Sequence, residues 1–179
     1  MARAAHPRQA PPDSGLRAPA GTAARRRWAS AVAATVLILD QASKAWVVAQ
    51  LAPGRSVPLL GSWLSLTLVE NTGAAFSVLA HSSALLAAFA AVAAAALWWL
   101  SGRLEGRGAP TALGLILGGA LGNLVDRLAR HAVVDFVNIH VWPAFNVADS
   151  AITVGALWLL WTLVRAPAAE GAHDRATPT

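Results

Sequence analysis

Residues 28–50 read WASAVAATVLILDQASKAWVVAQ, an apolar run broken only by Asp40 and Lys44 among charged residues. A helix needs about 20 such residues to cross a bilayer, and ionisable side chains inside a span are costly enough that their default reading is functional. The run follows Arg25, Arg26 and Arg27. That layout also opens an export signal, but no small-residue cleavage motif follows and the apolar stretch continues past Asp40. A retained first span is the better reading.

Three more segments have the length and composition of spans. One lies in the stretch from Asn71 to Gly102, which carries no charged residue, and is expected at Ser82–Leu100, ending in Trp98 and Trp99 as an interfacial belt. Another runs from about Thr111 to Leu128, where Gly114, Gly118 and Gly122 recur every four residues as a close-packing face. The last is Asn146–Val164. The whole chain of 179 residues is 56% hydrophobic and 13% charged, about half the charge of an ordinary soluble domain. Its net charge of +5 is concentrated in residues 1–27, which hold six Arg and one Asp. A basic flank of this kind does not make a nucleic-acid face, so no nucleic-acid partner is expected. With no Cys, disulfides, thiol nucleophiles and cysteine metal sites are excluded.

The expected fold is membrane α-helical: four transmembrane helices with a small extracytoplasmic β-sheet between helices 1 and 2. Arg clusters at 25–27, 103 and 107, and 165 flank the ends expected in the cytoplasm, so both termini are inside. Residues 1–24 form a disordered arm, 25–165 a single membrane domain, and 166–179 a disordered tail. The outer segment 52–78 alternates apolar and polar residues over Trp63–Val69 and reads as short strands. A second outer segment, 129–145, has its own β-branched pair, Val133 and Val134.

Counting about 1.5 Å per residue from the inner ends puts Asp40, Asn123 and Asp149 roughly 20 to 24 Å deep, in one layer near the outer face. Asp126, Arg127, Asp135 and the Glu70-Asn71 pair fall at or just beyond it. Asp40 and Lys44, four apart, either satisfy each other or serve chemistry. Asp126 adjoins Arg127 at a helix end, which favours a solvated, locally paired role. Asp135 and Asp149 have no Lys or Arg within four residues. Two such carboxylates brought together in a dry site share a proton, one acting as base toward water and the other as acid. His131 and His140 lack metal-site spacing, and Ser43 beside Lys44 points about 100° away from it. Neither a metal nor another cofactor is expected.

Five blocks at these positions resemble the lipoprotein signal peptidases (signal peptidase II), bacterial membrane aspartic proteases: Asp40-Gln-Ala-Ser-Lys44, Asn71-Thr-Gly-Ala-Ala-Phe-Ser77, Gly118-Gly-Ala-Leu-Gly-Asn-Leu-Val-Asp-Arg127, Val133-Val-Asp-Phe136 and Phe145-Asn-Val-Ala-Asp-Ser150. They span residues 30–164 in family order. The resemblance implies an endopeptidase that removes the signal peptide of diacylglyceryl-modified prolipoproteins, cutting just before the lipidated Cys, with Asp135 and Asp149 as the catalytic pair. It further implies that Asp40, Lys44, Asn71, Gly73, Asn123, Arg127 and Asn146 bind substrate or support the site. Asn138 departs from the acid that many relatives carry there. The implied setting is the bacterial inner membrane, with lipidated precursors and membrane lipid as partners and a monomer as the working unit. Trp63 and Phe76 are candidate interfacial anchors of the sheet. A proton-coupled transporter is an alternative class, but its repeated half-helices are missing from the pattern. A non-enzymatic assembly factor accounts for the glycine face but not for the unpaired acids.

Overall fold

The computed structural model describes residues 21–72, 83–104, 108–139 and 141–165. In chain order these form α1 (Gly21–Gln50), β1 (Ser56–Leu60), β2 (Leu64–Asn71), α2 (Ser83–Ser101), α3 (Ala109–Arg130), β3 (Val133–Ile139) and α4 (Val147–Val164). Three of these helices, α1, α3 and α4, are long and apolar enough to cross a membrane, while α2 contributes a shorter apolar stretch, Leu85–Ser101. The first helix starts at Gly21, so residues 21–24, expected in the arm, form its opening turn. The remaining arm and tail, Gly73, Phe76 and His140 lie outside the described residues.

Helix α3 is the axis of the bundle and packs against α1, α2 and α4. Its expected glycine face explains how. A Cβ on Gly118 would stand 2.6 Å from the Ala33 carbonyl oxygen of α1, and one on Gly122 would meet the Asp40 carboxylate. On its other side, Gly119 lies against the Ala148 carbonyl of α4. Missing side chains therefore let two backbones approach α3 at once, where lipid supplies no hydrophobic drive for association. Gly118→Ala should force α1 from α3 and lower stability by about 1–3 kcal/mol. A thermal melt in detergent reads this out, and an unshifted melting temperature would show that the contact is slack.

Around this axis the large apolar side chains point outward. Trp28, Ile38, Leu39, Phe89, Val92, Leu157 and Leu160 are all exposed, and only 11% of the apolar window of α4 is buried within the protein. Water does not tolerate such a surface, whereas hydrocarbon requires it. At the end of the bundle away from the sheet, the Arg26, Arg103 and Arg165 guanidinium groups stack on Trp98, Trp99 and Trp161, at 4.6, 3.5 and 3.8 Å from the ring centroids. Arg25 also donates to the Gly102 carbonyl (3.0 Å), tying α1 to the end of α2.

The sheet is larger than expected. It has three antiparallel strands in the order β1-β2-β3, and its third strand comes from the connection between α3 and α4. Strand β2 offers β1 only one edge, and the β-branched Val133-Val134 segment fills the other, with Val69 opposite Asp135 and Asn71 opposite Val133. Val134 and Phe136 then pack with Leu68 and with Val47 of α1, which seats the sheet on the end of the bundle where α1 finishes. The pairing of two segments separated by α2 and α3 is what carries Asp135 to the mouth of α4.

Candidate active site

The i,i+4 pair on α1 lies at the base of the site. Lys44 Nζ is 2.8 Å from Asp40 Oδ2, 2.8 Å from Asp126 Oδ2, and donates to Asn123 Oδ1 at 3.0 Å. Its three N–H donors are thereby all used. All three charged groups are almost fully buried, at 1% exposure or less. This corrects the expectation for Asp126, which is neither solvated nor paired with Arg127. Neighbours i and i+1 on a helix point about 100° apart, and the turn that directs Asp126 toward α1 sends Arg127 elsewhere. Arg127 reaches the Asn123 carbonyl at 3.5 Å and pairs with neither Asp135 nor Asp149.

Each lower acid also accepts backbone donors from a distant element. Asp40 Oδ1 accepts the Ala148 N–H in the first turn of α4 (2.9 Å), and Asp126 Oδ2 accepts the Val134 N–H at the start of β3 (3.1 Å). The Gln41 amide bridges Asp40, Asp126 and the Gly122 carbonyl at 3.2, 3.3 and 3.1 Å. Sequence reading passed over Gln41. Its place beside Asp40 in a span was the available signal, since a lone amide in a membrane helix needs partners as an acid does.

Three asparagines form the next layer. Asn146 caps α4 in a reciprocal box: its side chain accepts the Asp149 N–H (2.9 Å), and its own N–H donates to Asp149 Oδ2 (3.3 Å). The same side chain donates from Nδ2 to Asp135 Oδ1 at 2.7 Å, so one fully buried side-chain amide bonds the Asp135 carboxylate and the Asp149 backbone N–H. Asn123 donates to Asp149 Oδ1 (2.8 Å), while Asn71, at the end of β2, donates to Asp135 Oδ2 (2.9 Å). Burial is the main cause that pushes the Asp135 carboxyl up to about 6. The charge of Asp149 adds to that rise, against the hydrogen bonds from Asn71 and Asn146 and the charge of Lys44.

Beside this pair a cleft of about 290 Å³ opens between Trp142, Phe145, Asp149, Ser150, Thr153 and Val154. Asp149 is partly exposed at its edge, whereas Asp135 is 2% exposed. The structure therefore gathers Asp40, Lys44, Asn71, Asn123, Asn146, Asp135 and Asp149, and sets Arg127 on the helix backbone beside them. Asn138 sits opposite Ser65 in the sheet. Among the described residues, no three His, Cys, Asp or Glu side chains are grouped to hold a metal ion.

An acid pair at the lip of a cleft, in a bundle of membrane-length helices, matches the architecture of a membrane enzyme. The chain is similar to a bacterial membrane enzyme solved by the in meso method at 1.9 Å resolution, with a TM-score of 0.72 and 27% identity over 76% of this chain and 92% of that one. The sequence narrows the class. Residues 32–165 match the family model described as signal peptidase (SPase) II. Lipoprotein signal peptidases of Azoarcus sp. (strain BH72) and Mycobacterium avium (strain 104) are 46% and 42% identical, covering 75% and 76% of this chain and 81% and 78% of theirs. That of Pseudomonas aeruginosa is 45% identical, covering 77% of this chain and 89% of its own. The chain belongs to the signal peptidase II family, a family of membrane proteases.

Proposed function

We propose that this protein is an intramembrane aspartic endopeptidase that removes the signal peptide from diacylglyceryl-modified prolipoproteins, cutting just before the lipidated cysteine. The carrying observation is the Asn146 side chain, which bonds both to Asp135 and to the cap of α4 that holds Asp149. Among the described residues no cation is bound directly to either acid, unlike the Asp40-Lys44-Asp126 group beneath. Water enters between the two acids. One carboxylate takes a proton from the water as its oxygen attacks the scissile carbonyl. The protonated partner polarises that carbonyl, and the proton taken from the water then goes to the leaving amine. No covalent enzyme intermediate forms. Asn71, Asn123 and Asn146 hold the carboxyls in register, which supports a pre-organised rather than an induced site. The cleft beside Asp149 is lined by the apolar side chains Trp142, Phe145 and Val154, which supports entry of a substrate that is itself anchored in the membrane.

The direct test is cleavage of a synthetic precursor carrying a diacylglyceryl cysteine by the purified protein in lipid micelles. Two fragments are expected, with the new N-terminus at the modified cysteine. Because the acids that could ligate a metal are already bound by Lys44, Gln41 and backbone N–H groups, cleavage should continue in strong chelators. Activity lost in EDTA and restored by zinc would sink the aspartyl reading.

The same proposal sets the chain in the bacterial inner membrane as a four-span monomer, with α2 as its second span, both termini in the cytoplasm and the site near the outer face. The Arg–Trp stacks at the opposite end of the bundle support that orientation. Reporters fused after Gly106 or Arg165 should be cytoplasmic and one inserted at Gly61 external. A cytoplasmic signal from Gly61 overturns the topology.

A further inference from the structure

The two acids of the pair are held differently, and the difference separates their roles. Asp149 occupies the third position of α4, where the helix N-terminus favours negative charge. Its Oδ1 accepts from Asn123 and its Oδ2 from the Asn146 backbone N–H. Asn123 has no freedom to turn its amide over. Its Oδ1 already accepts from Lys44 Nζ (3.0 Å) and from Asn146 Nδ2 (3.2 Å), so its N–H must face Asp149. Asp135 stands on a strand, without a helix terminus, and is almost fully buried. One of its two amide partners, Asn71, lies at an exposed strand end.

We propose, building on the peptidase reading above, that Lys44 is a positioning residue acting through Asn123, which fixes Asp149 as the ionised base and leaves the shared proton on Asp135. The upward displacement of the Asp135 carboxyl to about 6 agrees with this assignment. Among the described residues, the other charges around the pair are Asp40 and Lys44 from α1, and Asp126 and Arg127 from α3. Asp40 and Asp126 both contact Lys44 on the side away from the pair, and Arg127 lies against the α3 backbone. Glu70 of β2 is opposite Val134, one place out of phase with Asp135. In the reaction Asp149 takes the proton that the attacking water releases, while Asp135 gives its own proton to the substrate carbonyl oxygen. When the tetrahedral species collapses, Asp149 passes its proton to the departing nitrogen and Asp135 recovers one from the hydroxyl. The pair thus ends in its starting state.

Each amide then controls one limb of the pH profile of kcat/KM. Losing a donor to Asp149 hinders formation of the singly charged pair and moves the acid limb. Losing a donor to Asp135 hinders loss of the second proton and moves the alkaline limb. Asn123→Ala should therefore raise the acid limb by about one to two pH units and leave the alkaline limb, near 6, in place. Asn71→Ala should raise only the alkaline limb. The reverse pattern, or equal movement of both limbs by both variants, overturns the assignment. A second measurement needs no activity and survives a variant that is inactive. At pH 5 the infrared carbonyl band of protonated carboxyls should be weaker in Asp135→Asn than in the wild type by the intensity of one carboxyl. A band of unchanged intensity in Asp135→Asn overturns the proposal. Wild-type cleavage by Asp149→Asn, in contrast, overturns the peptidase site itself and leaves the infrared result standing.

Discussion

Asp135→Asn and Asp149→Asn should each lower the cleavage rate of a lipidated precursor by about 10³-fold or more, with the bundle still folded. Neither acid can take over the other's proton transfer, because each is held by its own set of donors, the Asn71 and Asn146 side chains on Asp135 and the Asn123 side chain and Asn146 backbone N–H on Asp149. The amide is nearly isosteric with a carboxylic acid, and at position 135 its oxygen can still accept from Asn146 while Asn71 turns to accept its N–H. Stability gives an independent reading. A carboxyl raised from 3.8 to about 6 contributes stability that is complete below the lower value and is lost as pH rises through the upper one. At pH 7.5 the wild type therefore carries a buried, ionised Asp135 at a cost of up to about 3 kcal/mol, from which Asp135→Asn is free. The variant should melt no lower than wild type at pH 7.5 and lose that advantage below pH 4. Near-normal cleavage by either variant would refute the catalytic pair.

The second large effect lies one layer below, in groups that never meet substrate. Lys44→Met leaves Asp40 and Asp126 facing one vacated position without a counter-charge, and Asp126→Asn removes one of the carboxylates that Lys44 serves and weakens the anchor of β3. Breaking a buried ion group by removing one partner costs about 3–5 kcal/mol. Both single variants should melt far below wild type in detergent. Replacing the group as a unit, Lys44→Met with Asp40→Asn and Asp126→Asn, should recover much of that loss, since the penalty comes from stranded charge. A melting curve for Asp126→Asn that overlays wild type would show Asp126 to be dispensable.

Adjacency in sequence suggested the opposite for Asp126, because Arg127 stands next to it. Its actual partner is on another helix, and no local pattern encodes which faces of α1 and α3 meet. The meeting face itself was legible, in Gly114, Gly118 and Gly122, as were the apolar lengths and the common depth of Asp40, Asn123 and Asp149. What the glycines do not reveal is rotation, and rotation decided whether Asp126 or Arg127 turned inward. Strand β3 escaped for a related reason. Val133 and Val134 announced extended backbone, but the edge they join belongs to β2, across a whole helical hairpin, and such long-range pairing leaves no periodic trace. The Asn146 cap was readable in part: asparagine three places before an acid at the head of an apolar run is a helix-start signal. Its extra bond to Asp135 depends on the sheet.

The two backbone bonds accepted by Asp40 and Asp126 also bear on how the protein is made. Synthesis runs from the N-terminus, so α1 enters the bilayer before α3 and α4 exist. Asp40 and Lys44 are then alone in hydrocarbon, and their spacing of four lets each neutralise the other during that interval. When α3 arrives, Lys44 gains Asp126 and Asn123. When α4 arrives, Asp40 receives its Ala148 N–H, and Asp149 is brought beside Asn123. If the Asp135–Asp149 pair does the cutting, as proposed, the nascent chain is chemically silent until α4 is inserted, and a ribosome that stalls early leaves behind a membrane stub with no power to cut its neighbours.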